Sequence, residues 1–182
     1  MKTSLTVLFL FSFVVCSAQD GNVFPYMEAE SLTNEMINLP NDIQGSYSLI
    51  ALAFSKKSES DLGSWFQPIY SQFLQVPDPN AFFSFDYDLN VFIIPMFTGA
   101  KRAAYQKTMK KVQKTVDPKL QKNVLFYKGT ISEYKKALNF EGKDLPYFYV
   151  LDSEGVIVYS TSGRYTRNKM QEVIDAVEPA AK

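Results

Sequence analysis

The chain is poor in the side chains that carry most redox, metal and nucleophilic chemistry. It has one cysteine, Cys16, and no histidine among 182 residues. Without histidine it lacks the commonest general base and the commonest metal ligand. A single thiol cannot close an intrachain disulfide. A charge of one sign is also missing. Nineteen Lys and Arg stand against nineteen Asp and Glu, so no overall basic excess supports general nucleic-acid binding. Long apolar runs are absent too. Leu5 to Val15 spans eleven residues, against the roughly 20 that a membrane-crossing helix needs.

What is present is globular. Hydrophobic residues make up 46% and charged residues 21% of the chain, with 15 Phe and 11 Tyr. The length suits one domain with a substantial core. Lys2, the short apolar run and Cys16-Ser17-Ala18 before Gln19 have the layout of a secretory leader. This predicts a signal peptide over residues 1–18, cleaved near Ala18–Gln19, and an exported protein, periplasmic or secreted. Lipid anchoring at Cys16 is the lesser alternative, because Val15 stands where a small residue would be wanted. Cleavage would leave no thiol. Residues 19–45 then read as a tether and β-hairpin, and 46–182 as the main domain.

Within the hairpin, Tyr26 to Leu32 and Glu35 to Leu39 flank Thr33-Asn34, and Pro40 ends the second strand. Leu49 to Phe54 is an unbroken apolar run of strand length, suited to a sheet covered on both faces. A helix is predicted from about Ser60. Its apolar stripe is Leu62, Trp65, Phe66, Ile69, Tyr70, Phe73 and Leu74, with Pro68 inside it as a kink. Ala81 to Asp88 places Phe83, Phe85 and Tyr87 on one face if extended; with Phe82 these form a candidate aromatic patch, weighed against core packing. Leu89 to Ile94 is a second buried strand. The helix predicted over about Lys101 to Val116 sets Tyr105, Met109, Val112 and Val116 opposite Lys107, Lys110, Lys111 and Lys114. Asn123 to Tyr127 is a third strand. Thr130 with Glu133 has capping-box spacing ahead of a short helix. Tyr147 to Leu151 and Val156 to Ser160 form a hairpin through Asp152-Ser153-Glu154-Gly155. Thr166 caps a final helix. The order, β-hairpin then β-α-β-α-β-α-β-β-α, predicts a central mixed sheet with helices on both faces.

That order, with four particular features, resembles the thioredoxin-like superfamily. The features are the buried strand feeding a helix that contains a proline, Leu145-Pro146 before a strand, the V-L-D-S-E-G-V-I-V-Y hairpin, and Ser162-Gly163 before the last helix. The opening block F-P-Y-M-E-A-E-S-L-T-N-E-M-I-N-L-P-N-D-I-Q-G is similar to the hairpin of peroxiredoxin-like and thiol-reductase-like members. It is similar also to the opening of the mitochondrial ATP-synthase assembly factors, thioredoxin-like chaperones without a dithiol. The resemblance implies that Pro146 is the family's cis-proline beside the active site. It also implies, by counting back from Pro68, that the two CxxC slots are Ser60 and Gly63.

A hydroxyl in place of a thiol cannot perform thiol–disulfide exchange or peroxide reduction. Ser60, or Ser58, with Asp61 is expected to cap a helix; a nucleophilic Ser60 has no histidine to activate it. Glu59, Asp61 and Asp152 read as solvated turn residues and no metal site is expected. The resulting expectation is a non-enzymatic, redox-inactive protein-binding or assembly factor needing no cofactor. Its candidate binding edge is Ser60, Asp61, Leu62, Gly63, Leu145 and Pro146. The alternative is a degenerate or thiol-independent oxidoreductase of peroxiredoxin or thiol-reductase descent. The expected partner is a protein or peptide, not nucleic acid. A peripheral membrane or acidic partner at Lys107, Lys110, Lys111 and Lys114 is a further candidate, weighed against a simply solvated face.

Overall fold

A computed structural model of the chain describes residues 21–75, 87–142 and 144–177. The expected aromatic run at residues 81–86 lies outside them. In chain order the elements are β1 (Met27–Ser31), β2 (Met36–Leu39), β3 (Tyr47–Ala53), α1 (Lys56–Gly63), α2 (Phe66–Ile69), β4 (Leu89–Thr98), α3 (Tyr105–Gln113), β5 (Leu125–Gly129), α4 (Ser132–Ala137), β6 (Tyr147–Leu151), β7 (Ile157–Ser162) and α5 (Arg167–Val177). The strands form one seven-stranded sheet in the order β2-β1-β5-β4-β3-β6-β7. The β3–β4 and β4–β5 pairs are parallel, and the other pairs are antiparallel. The predicted element order is therefore the observed one, and the hairpin supplies one edge of the sheet.

Strand β3 lies in the interior of the sheet, between β4 and β6. Ser48 to Ala53 are all buried, which an apolar run with material on both faces requires. Alternation along it divides the core. Leu49, Ala51 and Ala53 face α1, α2 and α5 through Leu62, Trp65, Ile69, Met170, Val173 and Val177. Ile50 and Leu52 face the other way, toward Tyr134 and Leu138 of the α4 region and Phe24, Met27 and Ile43 near the N-terminal hairpin. Helix α3 packs Tyr105 and Met109 against Phe97 and Phe126. The Tyr105 hydroxyl donates to Glu30 Oε2 at 2.7 Å, tying α3 to β1. Burial first, and then that carboxylate, push the Tyr105 phenol well above its ordinary pKa, so it remains a donor at neutral pH.

Three local expectations are corrected. The helix after β3 starts at Lys56, with Ser55 as its N-cap, so neither Ser60 nor Asp61 lies at its start. Pro68 does not kink a continuous helix. The chain leaves α1 at Ser64 and re-forms a turn at Phe66, which puts Pro68 in a first turn, where a missing N–H costs nothing. This break turns Phe66 and Tyr70 outward, at 47% and 38% exposure, while Trp65 and Ile69 stay in the core. Finally, α4 is capped at Ile131 and no side chain caps it, so Thr130 has no such role. Thr166 Oγ1 does accept from the Lys169 N–H, at 3.3 Å, at the start of α5.

The β6–β7 turn shows how tightly the hairpin end is set. Asp152 Oδ1 accepts from the N–H groups of Glu154 and Val156, both at 2.9 Å. Gly155 has φ +81, and a Cβ there would lie 2.6 Å from the Cβ of Pro40. Gly155→Ala should therefore cost more than the about 1–2 kcal/mol of a left-handed alanine. Gly45→Ala, at φ +97 with open space around it, should cost only that. Urea unfolding of both variants checks this, and equal losses would show that the Pro40 contact carries nothing.

Candidate functional site

The strand-to-helix turn after β3 is built by two serines. Ser58 is fully buried. Its Oγ accepts from the N–H groups of Phe54 (3.1 Å) and Ser55 (2.8 Å) and donates to the Ser55 carbonyl at 2.9 Å. Ser55 Oγ accepts from the Ser58 N–H at 3.0 Å and lies 3.2 Å from Ser58 Oγ. This is a reciprocal capping box with serine at both positions. Both hydroxyls are committed to backbone, and neither is placed as a nucleophile.

The segment before β6 runs beside this turn. In the β3–β6 register Leu52 pairs with Tyr147. Continuing one step puts Pro146 beside Ala53, and the next puts Leu145 beside Phe54. A third segment closes the edge. The Gly163 N–H donates to the Pro146 carbonyl at 2.9 Å. The Gly163 carbonyl accepts from Trp65 Nε1 at 2.9 Å. Ser64 Oγ donates to the Asp61 carbonyl at 2.6 Å and accepts from the Tyr165 N–H at 3.0 Å. Lys169 Nζ donates to the Ser162 carbonyl at 2.6 Å. The indole packs 4.2 Å from the Phe148 ring and edge-on to Tyr165. Four stretches, 54–58, 61–65, 145–146 and 163–165, thus meet at one end of the sheet.

The sequence-predicted residues fare differently there. Leu145 is half-buried and packs on the core, and Pro146 is buried. The cis peptide bond expected at Leu145–Pro146 is found instead at Leu39–Pro40, and Leu145–Pro146 is trans. Leu62 is only 3% exposed, because it sits on the core side of α1. Ser60 and Gly63 are exposed, but they lie in the second half and at the end of α1, away from the turn. Asp61 is 8% exposed, and its Oδ1 lies 3.5 Å from Nη1 of the exposed Arg164. Exposed on one partner, such a pair contributes at most about 1 kcal/mol. Sequence reasoning missed Ser55, Ser64, Arg164 and Tyr165. The signal for the first was there, since Ser55 and Ser58 stand three apart directly after the strand.

No enclosed small-molecule pocket accompanies this edge among the described residues. A shallow groove of about 140 Å³ borders Glu141, Tyr147 and Ser160–Ser162, below the roughly 300–1,000 Å³ of ligand sites. No group of three Asp, Glu, Cys or His residues suited to a metal occurs among the described residues.

A seven-stranded mixed sheet with a strand–turn–helix centre and a proline segment beside the turn defines a thioredoxin-like domain, here without cysteine at the turn. Solved structures agree. Yeast Sco1 with copper bound is similar at 19% identity, with a TM-score of 0.52 over 90% of this chain and 95% of that one. A Plasmodium vivax 2-Cys peroxiredoxin is similar at 14% identity and a TM-score of 0.52, over 90% and 83%. An exposed lipoprotein thioredoxin of Streptococcus pneumoniae is similar at 14% and 0.54, over 83% and 98%. At these identities the likeness is one of fold. A search among curated proteins finds no match. The chain belongs to the ATP10 protein family, whose model matches residues 9–179. That membership makes it an assembly factor with protein partners. It also corrects the expected location: ATP10 is a mitochondrial ATP-synthase assembly factor, which overturns the periplasmic or secreted assignment drawn from the leader.

The Trp65 bond gives the site's own prediction. Trp65→Phe keeps an aromatic ring but leaves the Gly163 carbonyl without its donor. It should cost about 1–3 kcal/mol for that group, with a further loss for the space left behind. Denaturant unfolding measures the loss; a change under about 0.5 kcal/mol would contradict the role assigned to the indole.

Proposed function

We propose that this chain is a redox-inactive assembly factor that receives a polypeptide partner along the edge made by 54–58, 61–65, 145–146 and 163–165. The observation that carries the reading is the serine pair. Ser55 and Ser58 occupy the strand-to-helix turn at CxxC spacing, and their hydroxyls are used up in capping the helix. On this reading they replace Ser60 and Gly63 as the counterparts of the family's two cysteines. No cysteine follows Cys16, so the turn after β3 holds neither a disulfide nor a peroxide-reactive thiolate. The edge instead offers the exposed Gly63 at the end of α1, the half-buried Leu145, and Arg164 beside a nearly buried Asp61. Such an open, shallow surface suits an extended chain better than a small substrate.

Three experiments test this. The unaltered protein should show no insulin disulfide reduction and no peroxide consumption, and turnover in either assay would end the non-enzymatic reading. Ser55→Cys with Ser58→Cys should close a disulfide in oxidising buffer and gain insulin reduction. Ser60→Cys with Gly63→Cys should not, and the reverse result would return the dithiol position to Ser60 and Gly63. For the partner, cross-linked native extract should yield a protein retained by the unaltered chain. It should be lost on combining Arg164→Ala with Gly63→Arg, two exposed changes expected to alter stability by about 1 kcal/mol or less in total. A partner retained equally by the double variant would place binding elsewhere.

A further inference from the structure

Outside the edge, the strongest asymmetry in the molecule is electrostatic. Residues 99–128 contain nine Lys and Arg and a single acid, Asp117, within a chain whose charges cancel. Helix α3 lies in this stretch. Lys107, Lys110, Lys111 and, at its C-cap, Lys114 are spaced i, i+3, i+4 and i+7, so they share one face, and all four are exposed. The opposite face is committed to the core through Tyr105 and Met109. The next turn, Pro118–Asn123, folds back on α3 as Gln121 Nε2 donates to the Gln113 carbonyl at 2.9 Å. It adds the exposed Lys119 and Lys122. Lys101 is paired with Glu59 at 3.2 Å, whereas the four α3 lysines have no ion pair among the described residues.

This arrangement works against the isolated helix. Like charges at i, i+3 and i, i+4 repel. The helix dipole favours cations in the last turn, which accounts for Lys110 and Lys111, but it does not account for Lys107 or for the lysines of the following turn. We propose that α3 and the Pro118–Asn123 turn form a docking face for an anionic lipid surface. The form of the charge selects that occupant. The α3 face carries lysines only, as point charges on flexible stems, with no arginine fork and no groove. That suits the spread charge of a bilayer, whereas an acidic peptide is better held by bidentate geometry in a cleft. With its apolar side in the core, α3 attaches to the surface without inserting. This inference does not depend on the edge described above.

Sedimentation of the full chain with phosphatidylcholine vesicles, with and without phosphatidylglycerol, tests the proposal. Binding should require phosphatidylglycerol and weaken as salt is raised. Each lysine near such a surface is worth about 1 kcal/mol, or about fivefold. Replacing Lys107, Lys110, Lys111 and Lys114 together by Gln should therefore weaken binding by several hundred-fold. The milder Lys107→Gln with Lys111→Gln should weaken it about 30-fold. Lys135→Gln with Lys136→Gln, exposed on α4, should leave it unchanged, with circular dichroism confirming that all variants fold. Equal sedimentation with and without phosphatidylglycerol, or an unaffected pair variant, would overturn the proposal. So would tighter binding to polyglutamate or to RNA than to the mixed vesicles.

Discussion

One hydrogen bond, from the Trp65 indole to the Gly163 carbonyl, holds together parts of the chain that lie 98 residues apart. Its donor sits where α1 has ended and α2 has not begun, at the point where the helix would otherwise be free to swing. Its acceptor sits in the glycine turn after β7. The same glycine gives its N–H to Pro146, so a single residue spaces both the helix and the segment before β6. Gly163 can do this at φ +85 because it lacks a Cβ. The break in the helix is therefore an anchored corner, and the indole that anchors it is fully buried. Around this corner the same loop is held from two further directions: the Tyr165 N–H donates to Ser64 Oγ, and Lys169 Nζ donates to the Ser162 carbonyl.

The serine capping box holds the thioredoxin-like turn after β3 together. A turn that leaves a central strand and enters a helix leaves several N–H groups unpaired. Ser55 and Ser58 take those of Phe54, Ser55 and Ser58. Each oxygen is small, strongly accepting and neutral, so the turn gains a cap worth about 1 kcal/mol, with both hydroxyls held by backbone. Structural need and chemical capacity compete for the same two atoms, and here the cap has both of them.

Much of this was legible from pattern alone. The unbroken run Leu49–Phe54 marked a strand buried inside the sheet, and Asp152-Ser153-Glu154-Gly155 marked the last hairpin, because burial on two faces and a left-handed glycine each leave a strong local trace. The break after α1 was not, and the reason is specific. Counting from Pro68 assumes an unbroken helix, but the chain breaks at Ser64–Trp65, and that break is fixed by a tertiary bond to Gly163. No local signal near Pro68 reports a partner 98 residues away. The same tertiary cause turned Phe66 and Tyr70 out of the predicted stripe. At Thr130, capping-box spacing was present, yet the helix began one residue later with Ile131 at its cap. Spacing names the candidates; the surrounding packing decides which one is used.

The two surfaces differ in what they demand of a partner. The edge at Arg164 and Leu145 is shaped by backbone and shallow apolar contact, with one weakly paired charge. It can discriminate by fit, and salt should matter little to it. The α3 face has almost no shape, only charge of one sign, and is governed by screening over about 10 Å. A chain with both can be brought to a charged surface by α3 while its edge remains unoccupied. The sheet keeps them apart: α3 packs against β4 and β5 through Phe97 and Phe126, whereas the edge lies at the ends of β3, β6 and β7. An ion pair between Lys101 and Glu59 links the two regions. Charge and shape are thus divided between two separate faces of the same domain.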